Sequence, residues 1–185
     1  MTYYGGKELA ISFRTVRNNT IKLAEEIPES QYGFRASPET RTVAQTLAHI
    51  ALGYRFQHHV HSHGIDDLAE VNFPAIVAET NAEENKPRSK AELIAFLKSE
   101  GDKFASYLES LPEALLAEPV KLPPNPNSDR TFKSRFEMLL SPKEHEMHHR
   151  GQLMVLQRMI GQVPHLTREM QERMAHHQAR AAAQR

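Results

Sequence analysis

Glu144-His145-Glu146-Met147-His148-His149-Arg150-Gly151-Gln152 lies inside the last long apolar pattern of the chain, from about Phe132 to Ile160. Phe136, Leu139, Leu140, Met147, Leu153, Leu156, Met159 and Ile160 supply the apolar positions at helical spacing. His145 and His149 are four residues apart, so on a helix they stack one turn above the other and could share one metal ion. Imidazole is the usual nitrogen ligand for zinc, nickel and iron. For such a pair taken alone, the plainer reading is a polar helix with solvated histidines. The segment also satisfies His145-Glu146-x-x-His149, the form of a zincin protease helix. No evident strand to hold an extended peptide, and a bundle pattern in the rest of the chain, stand against that reading.

Three further segments carry one apolar face each. Leu9, Phe13, Val16, Thr20, Leu23 and Ile27 mark a helix over residues 7–27, and Pro28 stops it. Val43, Leu47, Ile50 and Tyr54 mark a second over 42–62, with Gly64 just past its end. Ser89 and Glu92 form a capping box for a third, whose apolar positions run from Leu93 to Leu111 before Pro112. Residues 64–88 are less regular, and the prolines at 119, 123, 124 and 126 mark a loop. Pro142 interrupts the last pattern, so Ser141-Pro142-Lys143-Glu144 opens a fresh helix or kinks a single one. Thr167 is the expected cap of a final helix that carries Leu166, Met170 and Met174 on one side. No alternating β-branched stretch is present, so no strand is expected. The fold class is therefore all-α, a four-helix bundle over residues 1–165 with a C-terminal helical tail over 166–185.

Composition narrows the function. The chain has 185 residues with 23 Lys and Arg against 23 Asp and Glu, so a strongly basic nucleic-acid binder is excluded as a first reading. At 39% hydrophobic and 25% charged residues it can bury a core, and no apolar run reaches the ~20 residues of a membrane helix. Residues 1–6 show no basic segment followed by an apolar one, so a cytoplasmic location is the default. There is no Cys, which removes disulfides, thiolate metal sites and Cys nucleophiles.

A pair of histidines holds a metal weakly, and His49 is the best third ligand. It lies mid-helix among small and apolar residues in Thr46-Leu47-Ala48-His49-Ile50-Ala51, and Gly53, one turn on, leaves space beside its ring. A buried imidazole needs a partner, which could be a metal, a carboxylate or a backbone carbonyl. With His145 and His149 on another helix, metal becomes the better explanation. The competing cluster is His58, His59, His61 and His63, but it sits at a helix C-terminus, where cationic His is favourable against the dipole. His165, His176 and His177 have no companions and read as surface residues.

The chain resembles the DinB-like (DinB/YfiT-type) metalloprotein family, which is unrelated to the DNA polymerase of the same name. The resemblance rests on Tyr32-Gly33-Phe34-Arg35, Ser37-Pro38-Glu39, Thr42-Val43-Ala44-Gln45-Thr46-Leu47-Ala48-His49-Ile50, and the His145-to-Leu153 stretch with its HHRGQ ending. It covers residues 7 to 165. It implies an up-down-down-up four-helix bundle, usually a homodimer, with a three-His divalent metal site whose ligands would be His49, His145 and His149. Members of known chemistry are thiol-dependent enzymes in which the metal lowers the thiol pKa.

Elementary chemistry agrees. Three neutral imidazoles leave an ion its full charge and one open position, enough to lower a bound water towards pKa ~7 or to deprotonate a bound thiol. Without Cys, the thiol must arrive as a low-molecular-weight substrate or cosubstrate. His148 and Arg150 flank the ligand helix as candidate contacts to the ligands or to an anionic substrate. Glu146 is the nearby acid, but it is rotated roughly 100° from His145. The expected function is a metal-dependent enzyme, a thiol S-transferase or hydrolase acting on a small molecule, with one Zn, Ni or Fe ion. The alternatives are a non-catalytic metal-binding stress-response protein and a metal-free helical dimer. Neither a nucleic acid nor a membrane is an expected partner.

Overall fold

The computed structural model describes residues 4–184. The reading of residues 1–6 as lacking a leader therefore rests in part on residues 1–3, which lie outside the described ones, as does Arg185 at the end of the tail. Eight helices are present among the described residues: α1 (Gly6–Glu26), α2 (Val43–Leu52), α3 (Arg55–Ser62), α4 (Phe73–Glu84), α5 (Lys90–Ser110), α6 (Glu113–Ala117), α7 (Arg135–Met159) and α8 (His165–Ala183). Four of them form the bundle: α1 packs on α5 and α7, and α2 packs on the same two from the other side.

Cross-helix pairs give the directions. Arg14 meets Glu109 and Glu25 meets Lys98, so α1 and α5 run oppositely. Ser12 meets Lys143 and Glu26 meets Gln157, so α1 and α7 run the same way. Arg17 donates to the carbonyls of both Ile50 and Leu97, and Tyr54 to Glu100, so α2 and α5 are parallel. The order is up, down, down, up. Because α2 and α5 are parallel, the chain must return along the bundle between them: α3 continues in the direction of α2, with His61 at Arg135, and α4 makes the return, from Phe73 at Phe56 to Glu84 at His49.

The cores follow the apolar stripes. Leu23, Ile27, Leu47, Ile50, Leu93, Leu97 and Leu153 fill one end, and Leu9, Phe13, Phe104, Leu108 and Leu139 fill the other. The Ser89 and Glu92 capping box opens α5 as expected, and Thr42 with Gln45 forms another at α2. Gly64 and Gly161 take left-handed φ values of 65° and 83° just past α3 and α7, which only glycine adopts without strain.

Three expectations are corrected and one open choice is decided. The 42–62 segment is two helices, divided at Gly53 and Tyr54. At Pro142, where two readings stood open, the structure takes the single helix: α7 runs through the proline, which forgoes one hydrogen bond while Met138, Leu139 and Pro142 itself are buried. A small antiparallel sheet exists, β1 (Pro119–Lys121) against β2 (Phe132–Ser134), where no strand was expected. Three residues are too few to show an alternation, and Val120 is nevertheless completely buried, against Val60 and Met138. Finally, α8 begins at His165 rather than after Thr167. His165, read as a surface residue, is 1% exposed, with Nε2 3.4 Å from Asn19 Oδ1 on α1. Among the described residues no helix is long and apolar enough to cross a membrane.

Candidate metal centre

The structure brings His49 of α2 together with His145 and His149 of α7. Their Nε2 atoms converge: His145 Nε2 lies 3.1 Å from His49 Nε2 and 3.1 Å from His149 Nε2. All three donor atoms lie within 4.8 Å of one another, in the one such group of histidines and acids among the described residues. Ligands at 2.0–2.1 Å around a tetrahedral ion stand about 3.3 Å apart, so these nitrogens are spaced as one ion needs.

The outer nitrogens explain why the inner ones face inward. His49 Nδ1 donates to Glu84 Oε2 at 2.8 Å, and His149 Nδ1 donates to Gln152 Oε1 at 2.8 Å. Each acceptor fixes a proton on Nδ1 and leaves the Nε2 lone pair pointing into the site, the usual support of a ligating histidine. His145 is held differently. Its Nδ1 is buried without a hydrogen-bond partner, and its ring lies against Gly53, where a Cβ would stand 2.6 Å from Nδ1. The space that Gly53 leaves thus belongs to His145, not to His49.

Burial, with the neighbouring rings and Arg41 acting in the same direction, lowers the His145 pKa to about 4; burial lowers His149 as well, against the raising effect of its hydrogen bond to Gln152. Both rings are neutral near pH 7, the form that coordinates. Burial pushes Glu84 up, but the hydrogen bonds from His49 and Arg41 outweigh it and hold the carboxyl below its ordinary value. Arg41 Nε donates to Glu84 Oε1 at 2.6 Å, so one carboxylate ties His49 to a guanidinium.

Glu146 is not part of this centre. It is 1% exposed and accepts from Arg17 Nε with both oxygens at 3.0 Å, on the α1 side of α7. Arg150 turns the same way: Nη1 donates to the Val16 carbonyl at 3.2 Å, so it touches neither the ligands nor the cavity beside them. His148 is exposed and takes a hydrogen bond from Gln152 Nε2 at 3.1 Å, which braces the residue that orients His149. The competing cluster disperses. His59 and His63 stay together at the end of α3, His58 meets Tyr107 edge-on, and His61 is buried and accepts from Arg135 Nη1 at 3.1 Å.

Glu84, Arg41 and Arg17 were not singled out in the sequence. Glu84 ends a helix with no amphipathic stripe, in the segment that reads as irregular. The available signal was indirect, since a ligating His needs an acceptor for its second nitrogen. Arg17 did leave a mark, a charge between Phe13 and Thr20 on the buried face of α1.

The sequence profile of the DinB superfamily matches residues 12–153, a span that holds all three histidines and Glu84. A search of curated proteins returns no match. Among solved structures, a DinB-like protein from Bacillus subtilis is 22% identical, with a TM-score of 0.60 over 84% of this chain and 94% of its own. A DinB-like protein from Bacillus cereus is 15% identical, with a TM-score of 0.65 over 88% and 97%. YfiT from Bacillus subtilis, described as "a probable metal-dependent hydrolase with an unusual four-helix bundle topology", is 14% identical, with a TM-score of 0.66 over 88% and 91%. At these identities the likeness to the solved structures is one of fold. The profile match covers well over half of the sequence, and the chain belongs to the DinB superfamily.

Proposed function

We propose that His49, His145 and His149 bind one divalent ion, and that the chain is a metal-dependent enzyme for a small molecule, of thiol-transfer or hydrolytic type. The observation that carries this is the convergence of three Nε2 atoms at 3.1 Å contacts while Glu84 and Gln152 take up the outer nitrogens of two of the rings. The description of YfiT as a metal-dependent hydrolase points the same way. When bound, the ion supplies Lewis acidity to a water or thiol at the open position. The chain supplies three neutral ligands, the carboxylate that orients His49, and a cavity of about 760 Å³ that reaches His149. Since the sequence has no Cys, a thiol would have to come with the substrate.

The test is elemental analysis of protein purified without a His tag. About one equivalent of zinc, nickel or iron per chain is expected, with most of it lost in His149→Ala and none lost in His59→Ala or His63→Ala. Metal that follows His59 or His63 instead would refute the assignment. We also propose a homodimer, supported by the exposed Met170 and Met174 of α8.

A further inference from the structure

Arg41 lies just ahead of α2 and spends one nitrogen on Glu84. Its Nη1 and Nη2 take no hydrogen-bond partner among the described residues, and its side chain is 41% exposed. It lines the cavity of about 760 Å³ that reaches His149, together with Arg35, Thr46, Glu84 and Gln152. Arg35 donates one Nη to the Pro38 carbonyl at 2.9 Å, and its other nitrogens have no such partner.

The anions of the cavity leave the Nη groups of Arg41 open. Glu84 is occupied on both oxygens, by Arg41 and by His49. Glu39 is exposed and accepts from Ser37 Oγ at 2.7 Å. A guanidinium with both Nη groups open is a two-pronged donor matched in spacing to the two oxygens of a carboxylate. Val155 and Leu156 complete the wall with apolar surface, which suits a short carbon skeleton.

We propose that this cavity seats a small molecule bearing a carboxylate, held by the open Nη pair of Arg41 with Arg35 as a second cation. Glu84 bridges Arg41 and His49, and His149 lines the same cavity, so the other end of a short acid held here is directed at His149. The anion seat stands on the cavity alone; what the far end of the molecule meets rests on the metal reading above.

Melting curves of the chelator-treated full chain test the seat without any metal. The probes are succinate, 1,4-butanediol as its neutral analogue, and inorganic phosphate, at matched ionic strength. Succinate is expected to raise the Tm with concentration and butanediol not to. Arg41→Gln is expected to abolish the rise, and Arg41→Lys to keep only part of it, because an ammonium lacks the second prong. Cobalt-loaded protein then gives the spectroscopic arm, with mercaptosuccinate compared against 1-thioglycerol and the cobalt content of each variant measured alongside. The acid thiol is expected to bind at least tenfold tighter in the wild type and no tighter in Arg41→Gln. Equal succinate protection in Arg41→Gln overturns the proposal, as does protection by phosphate but not succinate. If cobalt loads but the two thiols bind alike and succinate protects nothing, the carboxylate seat falls while the metal reading stands. If succinate protects through Arg41 but no metal loads, the seat stands and the metal reading falls.

Discussion

Gly53→Ala separates the demands of the helix from those of the metal centre. The Gly53 backbone is right-handed, at φ −60° and ψ −14°, so alanine fits its conformation. By propensity alone the change should stabilise the helix by up to ~1 kcal/mol. The added Cβ would, however, stand 2.6 Å from His145 Nδ1 and 3.0 Å from Cε1. Ordinary contact begins near 3.4 Å, so the ring must retreat by about 0.8 Å. Ligand distances tolerate only about 0.2 Å, so His145 Nε2 leaves the position in which it lies 3.1 Å from both partner nitrogens. Losing the placement of one ligand should weaken metal binding by about 10- to 100-fold, or roughly 1.4–2.8 kcal/mol. The metal-free protein should change by less than ~1 kcal/mol, because the ring can swing aside when nothing holds Nε2. Competition with a chromophoric chelator reads the first quantity, and urea unfolding of chelated protein reads the second. Wild-type metal affinity in Gly53→Ala would refute the reasoning, since His145 would then not be pinned where a ligand must be. A large loss of stability without metal would place the clash in the core instead.

Three further outcomes follow from the same packing. Glu146→Ala leaves Arg17 charged and 3% exposed, and should lower stability by about 3–5 kcal/mol in urea unfolding, while Glu146→Gln should keep the wild-type metal content; metal loss in Glu146→Gln would place Glu146 in the centre. Burial, with Arg135 adding to it, lowers the His61 pKa from 6.5 to about 4, so the unfolded state takes the proton first and the stability present above pH 6.5 is lost as pH falls towards 4. Between pH 7 and pH 5 that loss should be about 2 kcal/mol, and His61→Gln should flatten the urea-midpoint profile by that amount; an unchanged profile would mean that His61 does not titrate. Met170→Lys with Met174→Lys should convert a dimer to a monomer in light scattering, and a wild type that is already monomeric would end the dimer proposal.

The bundle was legible in the sequence because its helices bury one face each. Leu9, Phe13, Val16 and Leu23 repeat at helical spacing and are all buried, as are Leu93, Leu97, Phe104 and Leu108. What was not legible lacks periodicity. Each strand of the small sheet has three residues, and one begins on a proline. Most of α4 is exposed, so nothing in its pattern marked Glu84, the buried residue at its end. His165 is buried by the docking of one helix end, a tertiary event with no local signature. The three histidines could be grouped because a pair at four-residue spacing needs a further donor, and a mid-helix His among apolar residues needs a partner. That is chemical reasoning about unmet demand, and it does not depend on periodicity.

The same kind of demand explains how α7 is divided. A step of one residue turns about 100°, so His145 and His149 face α2 while Glu146 and Arg150 face α1. The two sides depend on each other through volume. Gly53 on α2 leaves room for the His145 ring, and Gly101 on α5 leaves room for Arg17, whose Cγ would lie 2.9 Å from a Cβ there. Arg17 then reaches Glu146, the Leu97 carbonyl and the Ile50 carbonyl from a single buried position. One guanidinium therefore ties α1 to α5, to α2 and to α7 at the level of His49 and His145. The glutamate of the His-Glu-x-x-His pattern is spent on that tie, so it fixes the rotation of the helix that carries His145 and His149 and is turned away from both.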